Sequence, residues 1–572
     1  MNFSRLNQAR RGVGPLENEL IDDYAAGAIS RRTFVTRGSV LGLGVAFMGS
    51  IVAACGSDKA AAPSGTSATG GTTATGGTTA GTTAGTTPVA SAIKQGGTLR
   101  IASQKPGSPL DPVAMDNLGS YTPVTQSFEY LCGKGEAATL APALAESWSP
   151  NADGSVWTFK LRSGVKWHDG KPFTAADVTA TLDRLSKANL KAYIVAGAAK
   201  ATDDTTVVVT LNKPDGQFPY QVSLYNPQSL ITPADYVVGT TLDKRPAGTG
   251  PFKLTKFDVA TGATFEANAD WWGGKPYLDK LEFIFSDDIA TQISGLQGQA
   301  ADAIVQFSVV GGDALLADPN ITVESIRGAA HRQIWMNTRE GTFVDVKVRQ
   351  AIALGLDRQA LIDTVLKGKG DLGNDHPVAP VYEYWDKSQP QRTRDVAKAK
   401  SLLKDAGKEG LKITLHAPKL QEIPQLAELV QTQLKEIGVD ITLAIESTST
   451  FYDQWCKTYD PICDGGQEFG IVDYGNRGTP DVYLVKAYAT GEWNSAHYKS
   501  DTFNAAVAKY QASLDTPSRA KAMVDVQKIA TEDVPYAIPY FYNSLTAHAK
   551  NVTGVVVSGL GHFECGKAGF KA

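Results

Sequence analysis

Cysteine is scarce: the 572 residues hold five, Cys55, Cys132, Cys456, Cys463 and Cys565, and none forms a Cys-x-x-Cys pair. The seven histidines are scattered, without a His-x-x-x-His spacing, so neither residue type offers the clustered donors that a zinc site needs. A basic surplus is also missing. With 55 Lys and Arg against 59 Asp and Glu, the formal net charge is -4, and nothing is left over to neutralise a nucleic-acid backbone. The chain lacks Gly-x-Ser-x-Gly and His-Glu-x-x-His, which removes two local signatures of a secreted hydrolase. Its most apolar uncharged run, Gly38 to Ala54, is 17 residues long with four glycines, too short and too weakly apolar for a comfortable membrane span.

What is present divides into an address, a tether and a folded cargo. Ser30-Arg31-Arg32-Thr33-Phe34-Val35, ahead of the uncharged run, is patterned like a twin-arginine export signal. The run ends in Val52-Ala53-Ala54-Cys55, which resembles a bacterial lipobox, where the cysteine thiol is lipidated and becomes the new first residue. Residues 1–54 are thus expected to be a cleaved signal, and Cys55 a lipid anchor. Their removal leaves 49 basic against 55 acidic groups and no polybasic membrane patch. From 55 to 95 the sequence is dominated by Gly, Thr, Ala and Ser, with almost nothing to bury, and reads as a flexible linker. A coil of that length spans roughly 35 Å. Export to an oxidising compartment permits disulfides, but four remaining cysteines allow three pairings and spacing does not choose among them.

The cargo, from about Gly96, is too long for one core and implies at least two lobes. Thr98 to Ala102 alternates as a first strand. Val156 to Arg162 alternates with Trp157, Phe159 and Leu161 on one face, and Val165 to His168 is expected to pair with it. Thr174-Ala175-Ala176-Asp177 is a capping box opening a helix that carries Val178, Leu182 and Leu185 on one side. A further strand at Thr205 to Leu211 completes a small mixed unit over about 140–220. Later, strand Leu411 to Leu415, a helical stripe from Ile423 to Ile437 and strand Val439 to Ile445 form a crossover unit, which requires a parallel pair. His168-Asp169, Asp203-Asp204 and Asp287-Asp288 read as turn and cap residues, not acid/base pairs.

Several of these segments together resemble one family. Ala145-Glu146-Ser147-Trp148, Trp157-Thr158-Phe159-Lys160-Leu161-Arg162 and Trp167-His168-Asp169-Gly170-Lys171-Pro172-Phe173-Thr174 are similar to the signature block of family 5 extracytoplasmic solute-binding proteins, the peptide and nickel receptors of ABC importers. Gly248-Thr249-Gly250-Pro251-Phe252, Val348-Arg349-Gln350-Ala351-Ile352 and Ala399 to Gly407 agree in order. The resemblance implies an α/β fold of the type II periplasmic-binding-protein kind (cluster C): two hinged lobes and a smaller satellite lobe. The expected division is 96–139 with 221–330 and 541–572 for lobe I, 140–220 for the satellite, and 331–540 for lobe II. It further implies a monomeric receptor outside the cytoplasm, without cofactor or catalysis, that hands its solute to a permease and an ATPase. A di- or oligopeptide is the expected solute. Alternatives are a nickel chelate, haem, an opine or an oligosaccharide, a role as peptide sensor or chaperone, and, least supported, a secreted hydrolase.

The same resemblance singles out Asp473, in Val472-Asp473-Tyr474-Gly475-Asn476-Arg477-Gly478-Thr479-Pro480, at the position where the family pairs an aspartate with a peptide's ammonium group. Tyr474, Trp335, Asn337, Trp455, Trp493 and Tyr121 are expected to line the same cleft, the aromatic ones holding variable side chains by apolar area. An arginine is the natural partner of a ligand carboxylate, and Arg332, Arg339 and Arg477 are all available.

Overall fold

The computed structural model describes residues 93–572 except 108, 114, 116, 246, 460–466 and 490–492, and of 456–459 the backbone alone. The export signal, Cys55, nearly all of the linker, Cys463 and the Cys456 side chain therefore lie outside the described residues. Ile93–Lys94 already pairs with the carboxyl-terminal strand Gly569–Lys571, so the described fold starts slightly before Gly96. Among the described residues no helix is long and apolar enough to cross a membrane, and no three His, Cys, Asp or Glu side chains converge as metal ligands. Cys132 and Cys565 are buried free thiols.

Two seven-stranded sheets dominate. In the first, strands Thr98–Ser103, Lys280–Phe285 and Ala303–Phe307 run parallel, flanked by the antiparallel strands Gly262–Ala267 and Phe252–Asp258 on one side and Ser544–Ala549 and Ile321–Ile326 on the other. In the second, Lys412–Pro418 is parallel to both Asp440–Glu446 and Phe469–Tyr474, as the crossover pattern requires. His331–Met336 pairs antiparallel with Phe469–Tyr474, and Tyr536–Ala537 and Tyr540–Tyr542 continue its other edge. The chain passes between the sheets twice, after Ile326 and after Tyr542, and the two passages are bonded: the Tyr542 amide donates to Ala330 (2.8 Å), and the Asn543 side chain to Ser325 (2.9 Å).

A third, four-stranded sheet holds Ala145–Pro150, Val156–Leu161, Thr206–Thr210 and Ala199–Asp203. Trp157, Phe159 and Leu161 are buried as the alternation requires. Helix Ala175–Ser186 opens on the Thr174–Asp177 capping box and buries Val178, Leu182 and Leu185 against this sheet. Val165 to His168 departs from expectation. It is not a strand, because the chain doubles back at once: the Trp167 amide donates to Lys171 (2.9 Å) and its indole to Asp177 (3.2 Å), so Ala145–Pro150 and Thr206–Thr210 flank Val156–Leu161 instead. Asp203 and Asp288 act as expected, accepting from the Thr205 amide and, at the start of helix Ile289–Gln297, the Ala290 amide.

Burial sets the protonation of the histidines. His331, His376 and His562 are at most 1% exposed, and desolvation lowers each, with half-buried His168, from 6.5 to about 4. The unfolded chain takes up these protons below about 6.5 and the folded chain only near 4, so the unfolded state binds more protons in between and stability falls as pH falls through that window. Four carboxylates act in the opposite sense. Desolvation raises Glu129 to about 7, against hydrogen bonds from Thr249, Trp272 and Trp271, raises Asp215 to about 6, helped by the Asp481 charge, and raises Asp481 and Glu564 as well. Their contribution is present below the unfolded carboxylate range and is lost as pH rises towards 7. Four imidazoles and four carboxylates therefore offset one another, and urea midpoints are expected to change little between pH 7 and pH 4.5; a steep fall would show that the imidazoles dominate, a steep rise that the carboxylates do.

Candidate functional site

In open α/β sheets, ligands sit outside the carboxyl ends of the parallel strands, where loops diverge and backbone amides are free. Both large sheets present such an edge. On the first, the ends of Thr98–Ser103 and Ala303–Phe307 frame a hollow of about 170 Å³ with Ser103, Gln104, Asp287 and Gln306 on its wall. On the second, strand Lys412–Pro418 leads to Gln421 and Glu422 at the start of helix Ile423–Lys435, and strand Phe469–Tyr474 ends beside Asp473. A crevice of about 470 Å³ is shared between the two. Val309, Val310 and Asp313, which follow strand Ala303–Phe307, face Thr364, Lys367, Gln425 and Glu428 across it.

At the lip of the second sheet stands a charged cluster around Arg332. Arg332 and Asp473 are register partners on adjacent antiparallel strands, so their side chains share one face. The guanidinium is fully buried. It donates from Nε and Nη2 to the two oxygens of Glu422 (2.8 and 2.9 Å), from Nη2 to Gln421 (2.6 Å), and forms an ion pair with Asp473 through Nη1. Burial alone would lower its pKa, but the Asp473 and Glu422 carboxylates outweigh that and hold it well above the ordinary value. Its plane lies over the Tyr542 ring, 4.2 Å to the centroid, while the Tyr542 hydroxyl donates to Asp473 Oδ1 (2.8 Å). One arginine thus faces two carboxylates. Glu422 is almost completely buried and also accepts from Tyr540 (3.1 Å), whereas the Asp473 side chain keeps a quarter of its surface exposed. The cluster carries one uncompensated negative charge, and Asp473 is where solvent reaches it.

The other expected site residues divide. Tyr474 and Trp493 come together: the Tyr474 hydroxyl donates to the Trp493 carbonyl (3.2 Å), the rings lie 6.2 Å apart, and Lys486 Nζ sits 4.6 Å from the Trp493 ring centre. Tyr474 is nearly buried and stacks on His331 (5.5 Å, 9°). Trp455, 8% exposed, packs edge-on against half-buried Tyr452 (5.9 Å). Tyr121 stands on helix Leu118–Val124, stacked on His562 (6.3 Å).

Two expectations are corrected by the packing. Trp335 has no exposed surface. Its indole fills the space over Gly470, where a Cβ would lie 2.2 Å from the ring, and abuts Phe451, so it supports the strand and does not line a cleft. Asn337 closes a turn: its Oδ1 accepts from the Arg339 and Glu340 amides (3.0 and 3.2 Å). Nor is Arg332 open to a ligand carboxylate, being clamped as above; half-buried Arg477 donates from Nη1 to the Asn476 carbonyl (2.8 Å) of its own loop. Sequence reading missed Glu422 and Tyr542 altogether. Only their position at a strand end and at a passage between sheets marks them, and neither position is visible without the topology.

The model of the bacterial extracellular solute-binding proteins, family 5 Middle, matches residues 139–505. The dipeptide-binding protein of Escherichia coli strain K12 is 28% identical over 467 residues, covering 74% of this chain and 85% of that protein. Haem-binding protein A of Haemophilus influenzae is 27% identical over 473 residues, covering 75% and 84%. The ABC transporter-associated periplasmic binding protein DppA of Helicobacter pylori, solved with a peptide bound, is 25% identical and superposes with a TM-score of 0.64 over 84% of this chain and 99% of that one. The two open sheet edges, the crevice they share and the match across nearly two-thirds of the sequence agree, and the chain belongs to family 5 of the bacterial extracellular solute-binding proteins.

Proposed function

We propose that this protein captures peptides with a free amino end between its two large lobes and delivers them to a membrane permease driven by a separate ATPase. The observation that carries the reading is the charge imbalance at Asp473. A ligand ammonium placed on its exposed oxygen brings the Arg332–Glu422–Asp473 cluster to neutrality and gains a charge-assisted hydrogen bond. Strand Phe469–Tyr474 supports it: beyond Gly470, its single pairing with Lys412–Pro418, that edge meets no further strand among the described residues. An extended peptide can add there through its main chain, which gives affinity without reading side chains. Relatives named for dipeptides and for haem are almost equally similar, so overall identity does not decide the solute; the acidic anchor favours an ammonium-bearing one.

The lobe boundaries expected from the sequence, with a satellite over 140–220, belong to this proposal, as do Tyr474, Trp493, Trp455 and Tyr121 as walls of the peptide site. So does the attachment: twin-arginine export of residues 1–54, lipidation of Cys55 and a linker that keeps a monomer near the membrane. Purified under native conditions and then denatured, the protein is expected to release peptides with unblocked amino ends, read by mass spectrometry. Release of haem, an opine or a metal chelate in their place would overturn the peptide assignment.

A further inference from the structure

The Asp473 carboxylate touches both passages by which the chain crosses between the large sheets. Arg332 is the second residue of the strand that follows the first passage, and Tyr542 is the last residue of the strand before the second. The passages are bonded to each other, Tyr542 N–H to Ala330 and Ile326 opposite Ser544, so any rotation of one sheet against the other is absorbed within these few residues. Oδ1 of Asp473 accepts from both Arg332 Nη1 and the Tyr542 hydroxyl, one donor from each passage, and the side chain still keeps a quarter of its surface exposed.

We propose that Tyr542 is a positioning residue that, together with Arg332, fixes the orientation of the Asp473 carboxylate and, because it rides on the second passage, ties that orientation to the angle between the lobes. This rests on the reading of Asp473 as the ammonium anchor. A side-chain carboxylate turns readily about its last torsion, and an anchor that must first be oriented costs affinity. Arg332 and the phenol remove that freedom together, the phenol only while the second passage lies against the strand carrying Asp473. A lobe rotation that withdraws Tyr542 leaves the carboxylate on Arg332 alone, and by reciprocity a ligand that holds the carboxylate in place holds the passage as well. Tyr542 also closes the far side of the cluster, its ring covering the guanidinium, so the hydroxyl is delivered to Oδ1 with little freedom of its own.

The test uses the full mature chain, freed of ligand by denaturation and refolding, with Tyr542→Phe, Asp473→Ala and the double variant. Tyr542→Phe keeps the ring over Arg332 and removes only the donor, whereas Asp473→Ala removes the acceptor. Hydrogen exchange over 541–545 and 328–332 is expected to rise about tenfold in Tyr542→Phe, at least as much in Asp473→Ala, and in the double no further than in Asp473→Ala, since both remove the same bond, a bond to a charged group that is worth about a tenfold factor or more. Unchanged exchange in both single variants, or effects that multiply in the double, overturns the proposal. Should Tyr542→Phe fail to fold, Asp473→Ala alone still has to loosen 541–545, a segment that a purely local ligand anchor would not reach. The peptides released from the native protein, added back, report separately: if Asp473→Ala binds them as well as the parent while the exchange coupling persists, the ammonium reading fails and the link to the passages stands.

Discussion

Asp473→Asn is expected to weaken the binding of peptides with a free amino end by about a hundredfold and to leave their amino-acetylated counterparts within about threefold. Truncating one partner of a charged hydrogen bond at an interface costs about 2–5 kcal/mol, and every 1.4 kcal/mol is about tenfold. The fold survives the change, because Arg332 keeps both bonds to Glu422 and its place over Tyr542. What disappears is the uncompensated charge: Arg332 and Glu422 then neutralise each other and the lip of the sheet no longer prefers a cation. Isothermal titration of matched free and acetylated peptides measures the difference. Equal losses for the two would remove Asp473 from ammonium recognition and leave it a structural partner of Arg332.

The second large effect is on stability. Asp375 is fully buried and accepts from Arg358 (2.6 Å), Arg392 (2.6 Å) and the Ile538 amide (3.1 Å), tying helix Arg358–Val365 to the loop that precedes strand Tyr540–Tyr542. Asp375→Ala removes the one carboxylate that two arginines share, and Arg358, 2% exposed, has no route to solvent. Breaking a buried pair by deleting one partner costs about 3–5 kcal/mol, most of it the price of the charge left behind. Unfolding in urea, followed by the fluorescence of the buried tryptophans, is expected to show a loss of that size. A change below about 1 kcal/mol would mean that water reaches the arginines and that the cluster is not closed.

The parts legible in advance were those whose physics is local. The capping box Thr174–Asp177, the alternation of Val156 to Leu161 and the crossover between Lys412–Pro418 and Asp440–Glu446 each depend on residues a few positions apart. Strand His331–Met336 left no such trace. All six of its residues are buried, so no period of two appears, and its polar members, His331, Arg332 and Gln333, look like a surface segment until the second sheet is assembled around them. Asp473 was visible through its loop, but its partners were not: Arg332 lies 141 residues away and Tyr542 lies 69 away. For the same reason Trp335 and Asn337 were given ligand-facing roles, since nothing in their neighbours tells a side chain over a glycine from one facing a cleft.

By itself the sequence determined the class of the protein. Absent charge surplus, absent metal spacing and ordered family blocks are properties of composition and short range, and they survive without any knowledge of where the chain goes. The tertiary structure alone decided which charge is left over. Whether Arg332 serves a ligand or serves Glu422 depends on two strand ends and a helix start meeting at one lip, and an ion pair is set by distance in space, to which separation along the chain is indifferent.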